Sequence, residues 1–232
     1  MAKRHLKRYF APKAWQINRK RFSYVTKQNP GPHSSKISVP LNVILRDMLN
    51  FSSTTKESKI ILTKKNVLVD GKRRKDHKFP MGLFDVIEFK EINKSYRILL
   101  NKKGKLTLIE IGSNESNIKP CSIINKTTVK GKIQLNLNDG KNIFVDKDSY
   151  KTGDTISLEL PKLTIKKHVG LKKDILIYLI GGKHIGEVGK VKDIIGNRIM
   201  YKGEKGDIIE TSKKYAFVIG EDKPIITINK KD

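Results

Sequence analysis

The hydrophobic pattern divides the chain unevenly. Through residue 37 no apolar period is present. Tyr9, Phe10, Trp15, Phe22 and Tyr24 are scattered among cations, and Gln28-Asn29-Pro30-Gly31-Pro32-His33 forbids regular structure. The first regular signal is Ser38-Val39-Pro40-Leu41, which predicts a helix start: a capping hydroxyl, then proline in the first turn. Leu41, Ile44, Leu45, Met48 and Leu49 follow at helical spacing, and Asn50 closes the segment. Thr54, with Glu57 three residues on, predicts a capping box and a second helix carrying Ile60, Ile61 and Leu62. At Val67 the pattern changes. Val67-Leu68-Val69 reads as a strand running into an Asp70-Gly71 turn, and residues 79–87 supply another turn and strand.

Beyond residue 100 the signals are strands and turns. Leu106 to Ile111 alternates, Cys121 to Ile124 is short and apolar, and Gln134 to Val145 predicts a hairpin around Asp139-Gly140. Thr152 to Leu158 is a turn into a strand. Ile175 to Ile180 is a buried strand ahead of a glycine-rich stretch, and Lys214 to Gly220 closes the series. The expected class is α+β and multidomain: an extension and linker (1–37), a small helix-strand module (38–100), a central β domain (101–170) and a last β domain (171–232), both β domains barrel-like. The longest apolar run, Ile175 to Ile180, is far short of the ~20 residues that span a bilayer. No apolar stretch with a cleavage site follows the basic N-terminus, so no secretory signal is expected.

Charge changes the picture most. The chain has 49 Lys and Arg against 23 Asp and Glu, a net charge of +26. Eleven cations precede the first carboxylate, Asp47; the remaining 38 against 23 still leave +15. Self-repulsion on this scale calls for a polyanionic partner: nucleic acid, an anionic membrane surface or an acidic protein. Rings set between cations favour nucleic acid, because they stack on bases while the cations neutralise phosphates. On this basis Lys3, Arg4, Lys7, Arg8, Lys13, Trp15, Arg19, Lys20 and Arg21 are candidate RNA-binding residues. For any single ring, packing on the first domain is an equal alternative. The extension itself is expected to order on its partner.

Candidate catalytic and metal chemistry is thin. The lone Cys121 excludes an intramolecular disulfide and a multi-cysteine zinc site, and fits a reduced, cytoplasmic setting. Asp139, Asp146, Asp148 and Asp154 occupy turn positions with no histidine between them. The stretch Gly181-Gly182-Lys183-His184-Ile185-Gly186-Glu187-Val188-Gly189-Lys190-Val191 lacks the Ser/Thr and following helix of a phosphate loop. Its glycines suit tight turns and close backbone approach between strands.

Residues 38–100 resemble the RNA-binding domain first described in the fourth protein of the small ribosomal subunit. HLKR, APKAW, GPH, PLNVILRDML, VLVDGKRRKD and FPMGLFDVI together resemble the S4e family of archaeal and eukaryotic small-subunit ribosomal proteins. The resemblance implies that the helix pair and following turn grip folded ribosomal RNA. Arg46, Lys56, Lys59, Lys72, Arg73, Arg74 and Lys75 stand at the matching positions, and Lys64 and Lys65 extend the basic surface. The glycine loop resembles a KOW module, with an SH3-like barrel implied. The contact candidates there are Lys183, His184 and Lys190, whereas Glu187 departs from a basic tip. The implied function is a structural constituent of the small subunit, ribosome-associated and cytoplasmic, that binds and stabilises ribosomal RNA beside neighbouring ribosomal proteins and so supports translation. No cofactor, metal, membrane or small-molecule substrate is expected. Two other classes compete with this one. An RNA-modifying enzyme with the same recognition domain lacks its Arg-Leu-Asp motif here. A transient transcription or translation factor with a KOW module fits less well with the long aromatic-basic extension.

Overall fold

The computed structural model describes residues 5–146, 148–203 and 206–228, which form a mostly β, α+β chain in two compact units. Lys3 and Arg4 lie outside the described residues.

The first unit comprises the residues up to Leu99 together with Lys105–Asn117. In chain order its elements are β1 (Leu6–Lys7), β2 (Tyr24–Val25), β3 (Ser38–Pro40), α1 (Leu41–Val43), α2 (Thr55–Lys64), β4 (Val67–Val69), β5 (Lys72–Arg73), β6 (Pro80–Gly82), β7 (Val86–Phe89), β8 (Lys94–Leu100), β9 (Leu106–Ile111) and α3 (Ser113–Ser116). One sheet has the order β5-β4-β7-β8-β9, and β1-β2 and β3-β6 are separate antiparallel pairs. Leu41, Val43, Ile44, Leu45, Leu62, Val67, Met81, Phe84 and Val86 are fully buried and form its centre.

The predicted helix start at Ser38 is corrected. Ser38–Pro40 is a strand, with Val39 opposite Met81. No side chain caps α1. Its first N–H groups are satisfied from the loop before β6 instead: Leu41 donates to Phe79 O at 3.0 Å and Asn42 to His77 O at 2.9 Å. A proline-containing helix start and a strand end look alike locally, and the partner strand forty residues away decides between them. After α1 the chain widens into a π turn, Ile44–Met48, and Asn50 ends it at φ 55. The Thr54 cap is as read: Glu57 N donates to Thr54 Oγ1 at 3.2 Å, and the Glu57 carboxylate accepts from Ser53 N at 2.8 Å.

The extension also departs from expectation, because it is folded onto this unit. Trp15 is 2 % exposed, and its indole N–H donates to Ser38 O at 2.7 Å. Ala14 O accepts from Leu106 N at 2.8 Å. A buried tryptophan of this kind contributes about 3–5 kcal/mol relative to alanine, enough to order a segment with few other apolar residues.

The second unit comprises Leu100–Gly104 and the described residues from Ile118 onward. Its strands are β10 (Ile118–Val129), β11 (Lys132–Leu137), β12 (Asn142–Val145), β13 (Thr155–Glu159), β14 (Thr164–Val169), β15 (Leu176–Leu179), β16 (Val188–Ile195), β17 (Arg198–Lys202), β18 (Ile208–Ser212) and β19 (Ala216–Gly220). They make two five-stranded antiparallel sheets, β12-β11-β10-β13-β14 and β18-β17-β16-β15-β19. Cys121, Ile123, Leu135, Leu137, Ile156 and Leu158 are the core of the former, with Cys121 packed inside it. Ile177, Leu179, Val191, Ile199, Tyr201 and Val218 are at the centre of the latter.

Candidate nucleic-acid interface

Three groups of the sequence-predicted cations are described, two on the first unit and one on the second. The N-terminal group is sorted by the fold into structural and exposed members. Arg8 is 1 % exposed; its guanidinium donates to Asp47 Oδ1 and to Asn18 O, each at 2.5 Å. Arg46 reaches the other carboxylate oxygen of Asp47 at 2.9 Å. Arg19 donates to the carbonyls of Tyr9, Ala11 and Pro12 at 2.7–2.9 Å, pinning the loop before it. Arg8 and Arg19 therefore hold the extension in shape, and Trp15 packs in its floor. Lys7, Lys13, Lys20 and Arg21 remain exposed.

At this surface Phe22 is half-exposed, with the guanidinium carbons of Arg21, Arg8 and Arg46 at 5.2, 5.9 and 6.0 Å from its ring centre. Tyr9 and Phe10 are 75 % and 68 % exposed and meet edge-on at 5.5 Å. Exposing rings costs apolar hydration, a cost that the packed Trp15 avoids. A surface of rings among guanidinium groups is suited to stacking bases beside phosphates.

The second group joins α2 to the β4–β5 turn. Asp70 and Gly71 both have positive φ, 50 and 72, which gives the tight two-residue turn that carries the basic run outward. Arg73 donates to Thr63 O at 2.9 Å, tying this hairpin to α2. Burial and the nearby Lys59 ammonium hold His77 below the usual imidazole value. Lys56, Lys59, Lys64, Lys72 and Lys75 are exposed here. Lys65 pairs with Glu91 at 2.9 Å, and the Arg74 guanidinium lies over Phe79 at 4.4 Å. The fold thus brings together residues that the sequence spreads over twenty positions.

The third group, on the second unit, is the loop between β15 and β16. Gly186 has φ +80, and a Cβ there would stand 2.6 Å from Asn101 O, so only glycine fits this close approach. Lys183 is exposed with no ion pair among the described residues. His184 Nδ1 lies 3.2 Å from Glu187, and Lys190 lies 3.3 Å from Asp222. Glu187 is therefore the partner of His184 rather than a bare acidic tip.

Two carboxylates carry more of the structure than their local sequence signals: Asp47, which the extension folds around, and Asp139, which stands at a turn position. Asp139 is 1 % exposed between Lys119 at 3.1 Å and Lys141 at 2.8 Å. Burial opposes its ionisation, but the two ammonium groups outweigh that and keep its carboxyl below the ordinary aspartate value. No local signal distinguishes such a carboxylate from a solvated turn residue.

Fold and surface together define a basic α+β protein with a ring-and-cation face suited to nucleic acid. Residues 92–165 match the model of ribosomal family S4e, and residues 2–36 match the RS4NT (NUC023) domain. Small ribosomal subunit protein eS4 of Methanosphaera stadtmanae is 43 % identical over 98 % of this chain and 96 % of its own. The protein of the same name from Methanococcus aeolicus is 40 % identical over 97 % and 98 %. Among solved structures, the 30S ribosomal protein S4e of Thermoplasma acidophilum superposes with a TM-score of 0.70 at 30 % identity, covering 82 % of this chain and 98 % of that one. The chain belongs to the S4e family of ribosomal proteins.

Proposed function

We propose that this chain is a structural component of the small ribosomal subunit that binds folded ribosomal RNA and holds it in shape, and so supports translation. It is not an enzyme. The observation that carries the reading is the first unit's surface, where exposed Phe22 and its guanidinium groups, Lys72 and Lys75 sit on a chain of net charge +26. Relatives alike along nearly its whole length carry the name small ribosomal subunit protein eS4. Cations meeting phosphates release condensed counterions, which supplies most of the binding free energy, and stacking and shape select the site.

On this reading residues 1–37 are a basic aromatic arm, 38–100 an S4-like RNA-binding domain and 101–170 a central β domain. Residues 171–232 form a KOW-like barrel whose loop offers Lys183, His184 and Lys190. What supports the last of these is the glycine-dependent turn against Asn101 and the five-stranded antiparallel sheet around it. Neighbouring ribosomal proteins are its other partners and the cytoplasm its compartment. Sedimentation of cell extract is the test. The chain stays with small subunits through a moderate-salt wash; release at that step, into the free-protein fractions, refutes permanent membership and favours a transient factor.

A further inference from the structure

One face of the second unit has a composition that neither core packing nor solvation explains. The register of β10, β11 and β12 sets Asn125, Asn136 and Asn142 in one cross-strand row and Thr127, Gln134 and Phe144 in the next. The opposite side of the same three strands carries the core residues Ile123, Leu135 and Leu137. On the outer side Asn125, Thr127 and Asn142 are exposed, and Phe144 is 56 % exposed. Gln134 Nε2 donates to Asn136 Oδ1 at 2.8 Å, and Asn136 Nδ2 donates to Thr127 Oγ1 at 3.0 Å, so the central amides are held in fixed orientation.

Asparagine is disfavoured in strands, so three in a single row work against the local structure. A solvated strand face in a chain that is 31 % charged should carry lysine and glutamate, yet none of these six positions is ionic. Charge depletion around an exposed ring is the mark of a surface that becomes covered. Its chemistry also names the cover. Oriented amides offer paired donors and acceptors that match the edges of nucleobases, and a ring offers a stacking plane. Cations stand at the border: Lys130 is exposed at the β10–β11 turn, and Lys132 occupies the next row, loosely paired with Asp146 at 3.6 Å.

We infer that this face receives an unpaired nucleotide of RNA, its base stacked on Phe144 and its edge read by the amides of Asn136, Gln134 and Asn142. The inference rests on the proposed RNA-binding role and adds to it a specific site for a single-stranded base, separate from the phosphate-binding cations.

The test uses the full chain and two labelled probes, an oligouridylate of about ten nucleotides and a blunt RNA duplex, with binding followed by fluorescence anisotropy. Phe144→Leu keeps an apolar group and removes the ring. It should weaken the single strand by about 5- to 150-fold, leave the duplex unchanged, and leave the salt dependence unchanged because no phosphate contact is lost. Asn142→Thr, a better strand former, should weaken the single strand by about 3- to 10-fold with folding intact by circular dichroism. Equal affinity of wild type and Phe144→Leu for the single strand, or equal losses on both probes, overturns the site while leaving the RNA-binding role standing. A photo-crosslinker at position 144 that reaches only protein in assembled subunits also overturns it. Failure of the wild-type chain to bind either probe removes the RNA-binding role itself.

Discussion

Asp47, the first carboxylate in the chain, is held by Arg8, thirty-nine residues upstream, through a 2.5 Å ion pair in which both side chains are at most 5 % exposed. The fold uses this one acid to fasten an otherwise all-cationic arm to the first unit. A carboxylate removed from such a pair leaves a buried guanidinium uncompensated, at a cost of about 3–5 kcal/mol. Asp47→Ala should therefore lower the melting temperature of the free protein and open the arm to proteolysis between Ala11 and Lys27. An arm equally resistant in the variant would mean that Asp47 does not fasten it.

Trp15 makes the companion case. Trp15→Ala should destabilise the free protein by about 3–5 kcal/mol, measured by denaturant unfolding. A loss confined to RNA affinity, with stability unchanged, would return this ring to the stacking surface.

The basic turn permits a finer separation. Lys72 and Lys75 are exposed, whereas Arg74 lies over Phe79 and Arg73 is tied to Thr63. Lys72→Gln and Lys75→Gln should each reduce the slope of log affinity against log salt by roughly 0.7 to 0.9, with stability unaltered. Arg74→Gln should also lower stability, through the lost ring contact. Slopes that do not move would make the run a solvated loop.

Legibility followed distance along the chain. The Thr54–Glu57 box and the Asp70-Gly71 and Asp139-Gly140 turns are decided by neighbours a few positions apart, and each is readable, whereas the glycine at 186 answers to Asn101, far upstream in the chain. Ser38–Pro40 is not readable, because its strand character depends on Pro80–Gly82. The cations of the arm were readable as a class but not individually. Whether Arg8 faces phosphate or Asp47 is settled by contacts across some forty residues, and identical side chains at Lys20 and Lys72 give no hint of their surroundings. The amide face of β10–β12 depends on register, which the hairpin signal locates only after the bulge between Ile123 and Asn125 is known.

In the second unit Tyr178 donates its O–H to Leu100 O at 2.6 Å and accepts from Leu100 N at 3.0 Å. Burial pushes its phenol up to about 12 from 10.0. The folded value lies above the unfolded one, so this contribution is intact below about pH 10 and fades as pH rises towards 12. Tyr178→Phe should cost about 1–3 kcal/mol at neutral pH and show a shallower alkaline loss than wild type; equal alkaline curves would detach this hydroxyl from stability.

Asp139 works in the opposite direction. Its folded value is depressed against the ordinary 3.8, so its stabilisation is present above that pH and is lost as pH falls through the lower folded value. Asp139→Asn should destabilise the protein at pH 7, where Lys119 is left buried without its anion, and should remove part of the acid-induced loss. An acid limb identical to wild type would show that this carboxylate is not what acid titrates.

The claim beneath all of this is that the first unit's exposed rings and cations lie against ribosomal RNA. Ultraviolet cross-linking of isolated small subunits, with peptide mapping by mass spectrometry, measures that contact directly. RNA-linked peptides containing Arg21 and Phe22 and containing Lys72 to Lys75 are the expected result. Subunits in which these peptides carry no nucleotide, or which lack the chain altogether, would contradict the claim.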